Sequence, residues 1–294
     1  MRFWTWLVVV VVLVVGTGVA IYFLRPVNGP ARDLTLTGDV ARGQYLIRLG
    51  DCVTCHTDKK NGVPELGGGP ALTTQFGTFH APNITSHPDA GIGNWTIEQF
   101  AKAISDGEGP EGHLYPVFPY ENYTLMSDQD IADLFAALKE VPPVAAPAKP
   151  HEVSFPFNIR PILAGWKNLF FTPRRYEADT AHSEQWNRGR YLVEGTGHCV
   201  MCHSPRNLLG AVEAGKELSG NPGGGVGGKA PSLLATRLAD RGYDVASLAS
   251  ALSDGFTPDF NVLGSAMGEV IADGTSHWTD ADREAVASYL LGVE

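Results

Sequence analysis

The chain has 294 residues, a length that points to two domains at about 100–200 residues each. Charged residues make up 18% and the net charge is −10, which excludes both a disordered, charge-rich chain and nucleic acid as the main partner. Thirty-four glycines and 20 prolines argue for many turns and against coiled coils.

The first element predicted is a helix over Trp4–Leu24. These 21 residues carry no charge and include eight valines. About 20 such residues cross the hydrocarbon layer of a bilayer. Trp4 and Trp6 at one end and Tyr22 at the other suit the two interfaces. A cleaved signal peptide is the alternative, but its apolar core is usually only about 7–15 residues. The only A-x-A-like cleavage candidate, Gly18-Val19-Ala20, lies inside the run. An uncleaved anchor over 1–24 is therefore expected, followed by a juxtamembrane linker over 25–36. Arg2 lies on one side of the span and Arg25 and Arg32 on the other, so charge alone does not orient it.

The rest of the chain repeats itself. Arg42-Gly43-Gln44-Tyr45-Leu46-Ile47 precedes Cys52-Val53-Thr54-Cys55-His56, and Arg188-Gly189-Arg190-Tyr191-Leu192-Val193 precedes Cys199-Val200-Met201-Cys202-His203. Gly69-Pro70-Ala71-Leu72 is matched to Ala230-Pro231-Ser232-Leu233, and Ile104-Ser105-Asp106-Gly107 to Leu252-Ser253-Asp254-Gly255. A capped amphipathic helix closes each half, starting at Ser127-Asp128-Gln129-Asp130 and at Thr279-Asp280-Ala281-Asp282. Helices are predicted before each cysteine pair, over about Thr96–Ile104, and at each closing segment. No sustained alternation argues for a sheet, and Gly220–Gly228 reads as a loop. The halves are set at 37–145 and 181–294, joined by an aromatic and proline-rich linker over 146–180.

Cys-x-x-Cys-His puts two thiols on one face of a helical turn, where they can add to the vinyl groups of one haem, with the adjacent histidine beneath the iron. The motif occurs twice. Zinc ribbons space their Cys pairs by about 15–20 residues, whereas 143 residues separate Cys55 from Cys199. A dithiol redox site needs a βαβ setting and no histidine, and structural disulfides are the remaining alternative. The reading is two covalently bound haem c groups, held by Cys52 and Cys55 and by Cys199 and Cys202, with His56 and His203 on the irons. An iron-bound imidazole is usually held by a hydrogen bond from its other nitrogen; the carbonyls of Pro70 and Pro231 are the expected acceptors, a simple turn role being the alternative.

The sixth ligands come from few candidates. The methionines are Met1, Met126, Met201 and Met267. Met201 lies inside the second motif. Met267 follows His203 by 64 residues, in a glycine-rich loop expected before the last helix, and is the candidate for the second iron. Phe118 holds the corresponding place in the first half and cannot bind iron. Met126 is the best replacement by ligand type, though an apolar residue at a helix cap reads as well. His80, His87, His113 and an open iron complete the alternatives.

Pro82-Asn83-Ile84-Thr85, Gly91-Ile92-Gly93-Asn94-Trp95, His113-Leu114-Tyr115-Pro116, Phe155-Pro156-Phe157-Asn158-Ile159-Arg160, Trp166, and Cys202-His203-Ser204-Pro205-Arg206-Asn207-Leu208-Leu209-Gly210 carry a resemblance over about residues 37–294. The chain resembles the cytochrome c subunits of membrane-bound periplasmic dehydrogenases acting on alcohols, gluconate, sorbitol or aldehydes. With the repeat, the helical reading and the apolar N-terminal run, the expectation is an all-α fold of two tandem class-I-like cytochrome c domains with loop-rich haem pockets, after one N-terminal transmembrane helix. Tyr115 and Arg206, within these stretches, are assigned to the haem pockets. The haem-attachment chemistry together with the apolar run leads to the expectation of a single-pass protein of the cytoplasmic membrane with its haem domains in the periplasm. Such a protein would take electrons from a dehydrogenase catalytic subunit and pass them to quinone or to another cytochrome or oxidase. Two departures stand out: many members carry three haem motifs, and many have Met where this chain has Phe118. A second class of function stays open, an enzyme acting on peroxide or a sulfur anion at an open or weakly ligated first haem; the linker's aromatic residues also suggest packing across both halves or against a partner.

Overall fold

The structure, a computed structural model, describes residues 2–224 and 228–294. Residues 225–227, part of the expected glycine loop, lie outside the described residues. The apolar N-terminal run forms α1 (Arg2–Leu24), and none of its apolar window is buried against the rest of the chain.

Asp39 starts the first half by accepting hydrogen bonds from the backbone N–H groups of Ala41 and Arg42, which caps α2 (Val40–Leu49). The chain then breaks at Asp51, whose φ of 51° is left-handed, and restarts as α3 (Cys52–His56). A capping box at Thr96 and Gln99 begins α4 (Ile97–Asp106), a short turn forms α5 (Tyr120–Tyr123), and Ser127 caps α6 (Asp128–Glu140). The segment between the halves contributes α7 (Ile162–Phe170). The second half repeats the plan: α8 (Glu184–Arg190) runs into a π-helical turn over Tyr191–Thr196, left-handed His198 stands where Asp51 stood, and α9 (Cys199–His203) follows. Then come α10 (Ala235–Asp240), α11 (Val245–Asp254), α12 (Ser265–Asp273) and α13 (Asp280–Leu291).

The all-α expectation needs correcting. β1 (Ala71–Thr74) and β2 (Gly77–His80) form an antiparallel hairpin, and β5 (Glu152–Val153), from the linker, adds to its edge. β3 (Glu108–Gly109) and β4 (Gly112–His113) pair separately. None of these exceeds four residues, too short for an alternating pattern to stand out from a turn.

In each half the opening helix lies against the closing helix at a glycine. A Cβ at Gly43 would meet the Asp133 carbonyl oxygen at 1.9 Å, and one at Gly189 would meet that of Ala285 at 1.9 Å. Arg42 pairs with Asp130 and, at 3.0 Å, with Asp133; Arg188 pairs with Asp282 at 2.7 Å. Asp130 and Asp282 also take a partner from the opposite half. The Tyr45 hydroxyl donates to Asp282 at 2.7 Å, and the Tyr191 hydroxyl donates to Asp130. One hydrophobic core runs through both halves, including Leu46, Leu49 and Ile131 from the first and Leu192, Val193 and Val286 from the second.

These crossed bonds predict a measurable cost. Tyr45→Phe and Tyr191→Phe should each destabilise the chain by about 1–2 kcal/mol, because a hydrogen bond to a buried carboxylate is lost while the carboxylate stays. Urea denaturation followed by circular dichroism would show this as a lowered midpoint. A midpoint unmoved in both variants would deny these bonds a part in joining the halves.

Candidate haem-attachment site

Each attachment helix is short because a left-handed residue precedes it and extended backbone ends it at Thr57 and Ser204. His56 and His203 are both buried at its last position. Nδ1 of His56 donates to the Pro82 carbonyl at 2.7 Å, and Nδ1 of His203 donates to that of Pro231 at 2.7 Å. Burial holds both imidazoles below their usual pKa, against the opposing pull of these carbonyls. A neutral ring whose Nδ1 proton is engaged presents the Nε2 lone pair to a metal.

Pro82 corrects the expectation for the first half, which had named Pro70. The register of the repeat explains it. The Leu66 N–H donates to the Thr57 hydroxyl and the Ile84 N–H to the Leu66 carbonyl; the Leu218 N–H donates to the Ser204 hydroxyl and the Leu233 N–H to the Leu218 carbonyl. Ala81-Pro82-Asn83-Ile84 is therefore the counterpart of Ala230-Pro231-Ser232-Leu233. The β1–β2 hairpin lies between Pro70 and that segment. The shared Ala-Pro pair was a signal that could have found it.

Burial pushes the Cys52 and Cys199 thiols up to about 12, and those of Cys55 and Cys202 are raised for the same reason. Thiols so suppressed are unlike the low-pKa cysteines of dithiol exchange. Among the described residues no group of three or more His, Cys, Asp or Glu side chains is arranged to hold a metal ion by itself. Two thiols three residues apart with an Nε2-free histidine fit a covalently attached haem at each segment.

The two segments meet. His198, just before Cys199, donates from Nε2 to the Gly50 carbonyl at 3.3 Å, two residues before Cys52. Its ring packs edge-on to Tyr123 at 5.6 Å, and Tyr123 donates to the same carbonyl at 2.6 Å. The Trp278 indole N–H donates to the Arg48 carbonyl at 3.2 Å, and α12 packs on α3. The charge of Asp51 raises the pKa of thiols in both segments.

The distal candidates are dispersed. Met267 sits in the first turn of α12, not in a loop, and is half-buried. Met126 is 2% exposed in the shared core, and Phe118 stacks edge-on with Tyr123 at 5.5 Å. Nδ1 of His87 accepts the backbone N–H groups of Asp89 and Ala90, so this ring caps a turn. His80 Nδ1 is buried without a hydrogen-bond partner. His113 Nδ1 accepts from Lys167 at 3.2 Å, and burial together with that lysine lowers its pKa. Tyr115 is buried beside Phe79 and His151, with Arg160 over its ring. Arg206 donates to the Met201 and Gly210 carbonyls, at 2.7 and 2.6 Å, and so clamps the chain just beyond the second motif. Sequence reasoning missed Lys167, a wholly buried lysine brought in by α7; burial pushes its pKa down to about 8. Nothing in the local pattern marks it.

Two haem-attachment helices, each with a carbonyl-anchored histidine, define a c-type cytochrome. The cytochrome c family model matches residues 40–141. A diheme cytochrome c-type protein of Cereibacter sphaeroides is 42% identical over 96% of this chain and 95% of its own length. The fructose dehydrogenase cytochrome subunit of Gluconobacter japonicus is 36% identical over 96% of this chain and 57% of its own length. The cytochrome c subunit of the quinone-type alcohol dehydrogenase of Gluconobacter oxydans is 36% identical over 86% of this chain, which spans 54% of that subunit. The chain belongs to the family of diheme c-type cytochromes, is similar to the cytochrome subunits of these dehydrogenases over little more than half of their length, and carries covalently bound haem c, one group at each Cys-x-x-Cys-His segment.

Proposed function

We propose that this chain is a membrane-anchored electron relay. It takes electrons from the catalytic subunit of a periplasmic dehydrogenase and delivers them to quinone or to another cytochrome or oxidase of the respiratory chain. The observation that carries this reading is the meeting of the two attachment segments at His198 and Gly50. When bound, each haem iron supplies a reversible one-electron change. The protein's part is to fix the segments against one another, to hold each histidine by a proline carbonyl, and to shield both sites inside one core. The names of the relatives support a dehydrogenase as donor, and α1 is long and apolar enough for a single span of the cytoplasmic membrane; the reading sets the haem domains on its periplasmic side. Purification of the intact chain from detergent-solubilised membranes should bring a dehydrogenase subunit with it. Substrate-driven reduction of both haems in that complex supports the relay, and copurification of no oxidoreductase would count against it.

Met267 is proposed as sixth ligand of the second iron and Met126 of the first. Met267→Ala should lower the reduction potential of one haem, since a thioether ligand favours the reduced iron, and should open that haem to carbon monoxide. Redox titration checks this; two unchanged potentials would remove Met267 as a ligand. Carbon monoxide binding with peroxide turnover at the first haem of the unmodified chain would favour the enzymatic alternative instead.

A further inference from the structure

Helix α7 exposes large apolar residues and buries a lysine. Ile162, Trp166 and Leu169 recur at i, i+4 and i+7 and so share one face. Ile162 is 47% and Leu169 53% exposed. On the opposite side Leu163, Ala164 and Lys167 are buried, the lysine completely. On the surface of a water-soluble domain lysine is expected outward, and two large apolar side chains on one exposed face are not.

The exposed face abuts the end of α1. Gly165 lies on it, and a Cβ there would stand 3.5 Å from the Phe23 ring. Asn168 donates to the carbonyls of Arg25 and Phe23, at 3.0 and 3.3 Å, and accepts from Arg25 Nε at 2.7 Å. Arg25 in turn lies over the Tyr22 ring at 4.5 Å. These contacts fix α7 at the level of Tyr22–Arg25, the aromatic and basic end of the apolar helix. In a membrane span that end sits among the headgroups.

The apolar surface continues beyond α7. The Trp166 indole N–H donates to the Leu209 carbonyl at 2.9 Å, and the neighbouring Leu208 is 91% exposed. Phe155 is 78% exposed, and Phe157 packs edge-on to Phe76 at 4.8 Å. Residues 153–175 include no acid, within a chain whose net charge is −10; of their basic groups Lys167 is buried and Arg175 is paired with Asp128 at 2.9 Å. An apolar face without acidic residues, joined to a span and with Arg25 at the junction, matches the interface of a bilayer.

We propose that α7 is an interfacial membrane helix, with its Ile162–Trp166–Leu169 face sunk into the boundary between headgroups and acyl chains of the bilayer that α1 crosses. The proposal rests on reading α1 as a span. It makes the chain two-point mounted, by a span and by a helix lying flat. The haem halves, bonded to α7 through Lys167 on one side and Leu209 on the other, are then held at a fixed height and tilt.

Spin-label accessibility tests it on the full holo-chain in vesicles of phosphatidylethanolamine and phosphatidylglycerol. Single cysteines are introduced by Ile162→Cys, Leu169→Cys, Val12→Cys and Asp280→Cys, with covalent haem content confirming that each variant folds. Labels at 162, 169 and 12 are expected to meet oxygen more readily than a water-soluble nickel chelate, and the label at 280 the reverse. A water-like response at 162 and 169 with a lipid-like response at 12 overturns the proposal and leaves the span intact. A water-like response at 12 as well overturns the span itself. Shielding of 162 and 169 that arises only on adding a dehydrogenase subunit would assign the face to a protein and also overturn the proposal.

Discussion

Gly43→Ala is expected to prevent the first half from closing. The added methyl carbon would stand 1.9 Å from the Asp133 carbonyl oxygen and 2.6 Å from Ala137 Cβ. The first of these is backbone of α6 and cannot rotate aside, so α2 and α6 must move apart. That separation stretches the Arg42–Asp133 pair and opens the contact of Leu46 and Ile47 with Ile131 and Leu134. A loss of about 3 kcal/mol or more is expected, at or beyond the upper end of ordinary overpacking. Gly189→Ala should act alike in the second half, where Tyr289 Cβ is a further obstacle at 2.8 Å. Urea midpoints and covalent haem content measure both; a variant of unaltered midpoint would show that the helices do not meet at these glycines.

Cys199→Ser combined with Cys202→Ser is expected to halve the covalently held haem. Without the two thiols no thioether forms at α9, and the single His203 contact does not survive denaturation. Extraction of the denatured variant with acidified ketone should leave one haem on each polypeptide, against two for the unmodified chain. The pair Cys52→Ser and Cys55→Ser should give the same count from the other segment. Retention of two haems by either double variant would overturn the assignment of these cysteines.

What the sequence made legible was the chemistry carried by adjacent residues. Cys-x-x-Cys-His is local, and so are the helix caps at Ser127 and Thr279, because the hydrogen bonds that define them span three residues. The proline carbonyl behind His56 is not the one the repeat points to, because the β1–β2 hairpin separates Pro70 from Pro82 and breaks the register between the halves. The small sheet was missed because its strands are too brief for periodicity. Met267 was expected in a loop because Gly264 and Gly268 flank it, yet α12 forms there, packed on α3 of the other half. Such tertiary override of local preference has no signature in a single chain. Lys167 was illegible for the same reason: its partners, the Gly107 carbonyl and His113, come from more than fifty residues away.

The crossed tyrosines bear on how a doubled chain diverges. Asp282 answers both to Arg188 beside it and to Tyr45 across the seam, and Asp130 to Arg42 and Tyr191. A substitution at either acid is therefore felt in both copies at once. A fragment holding one half alone would lay its seam bare, with Tyr45 or Tyr191 deprived of its acid.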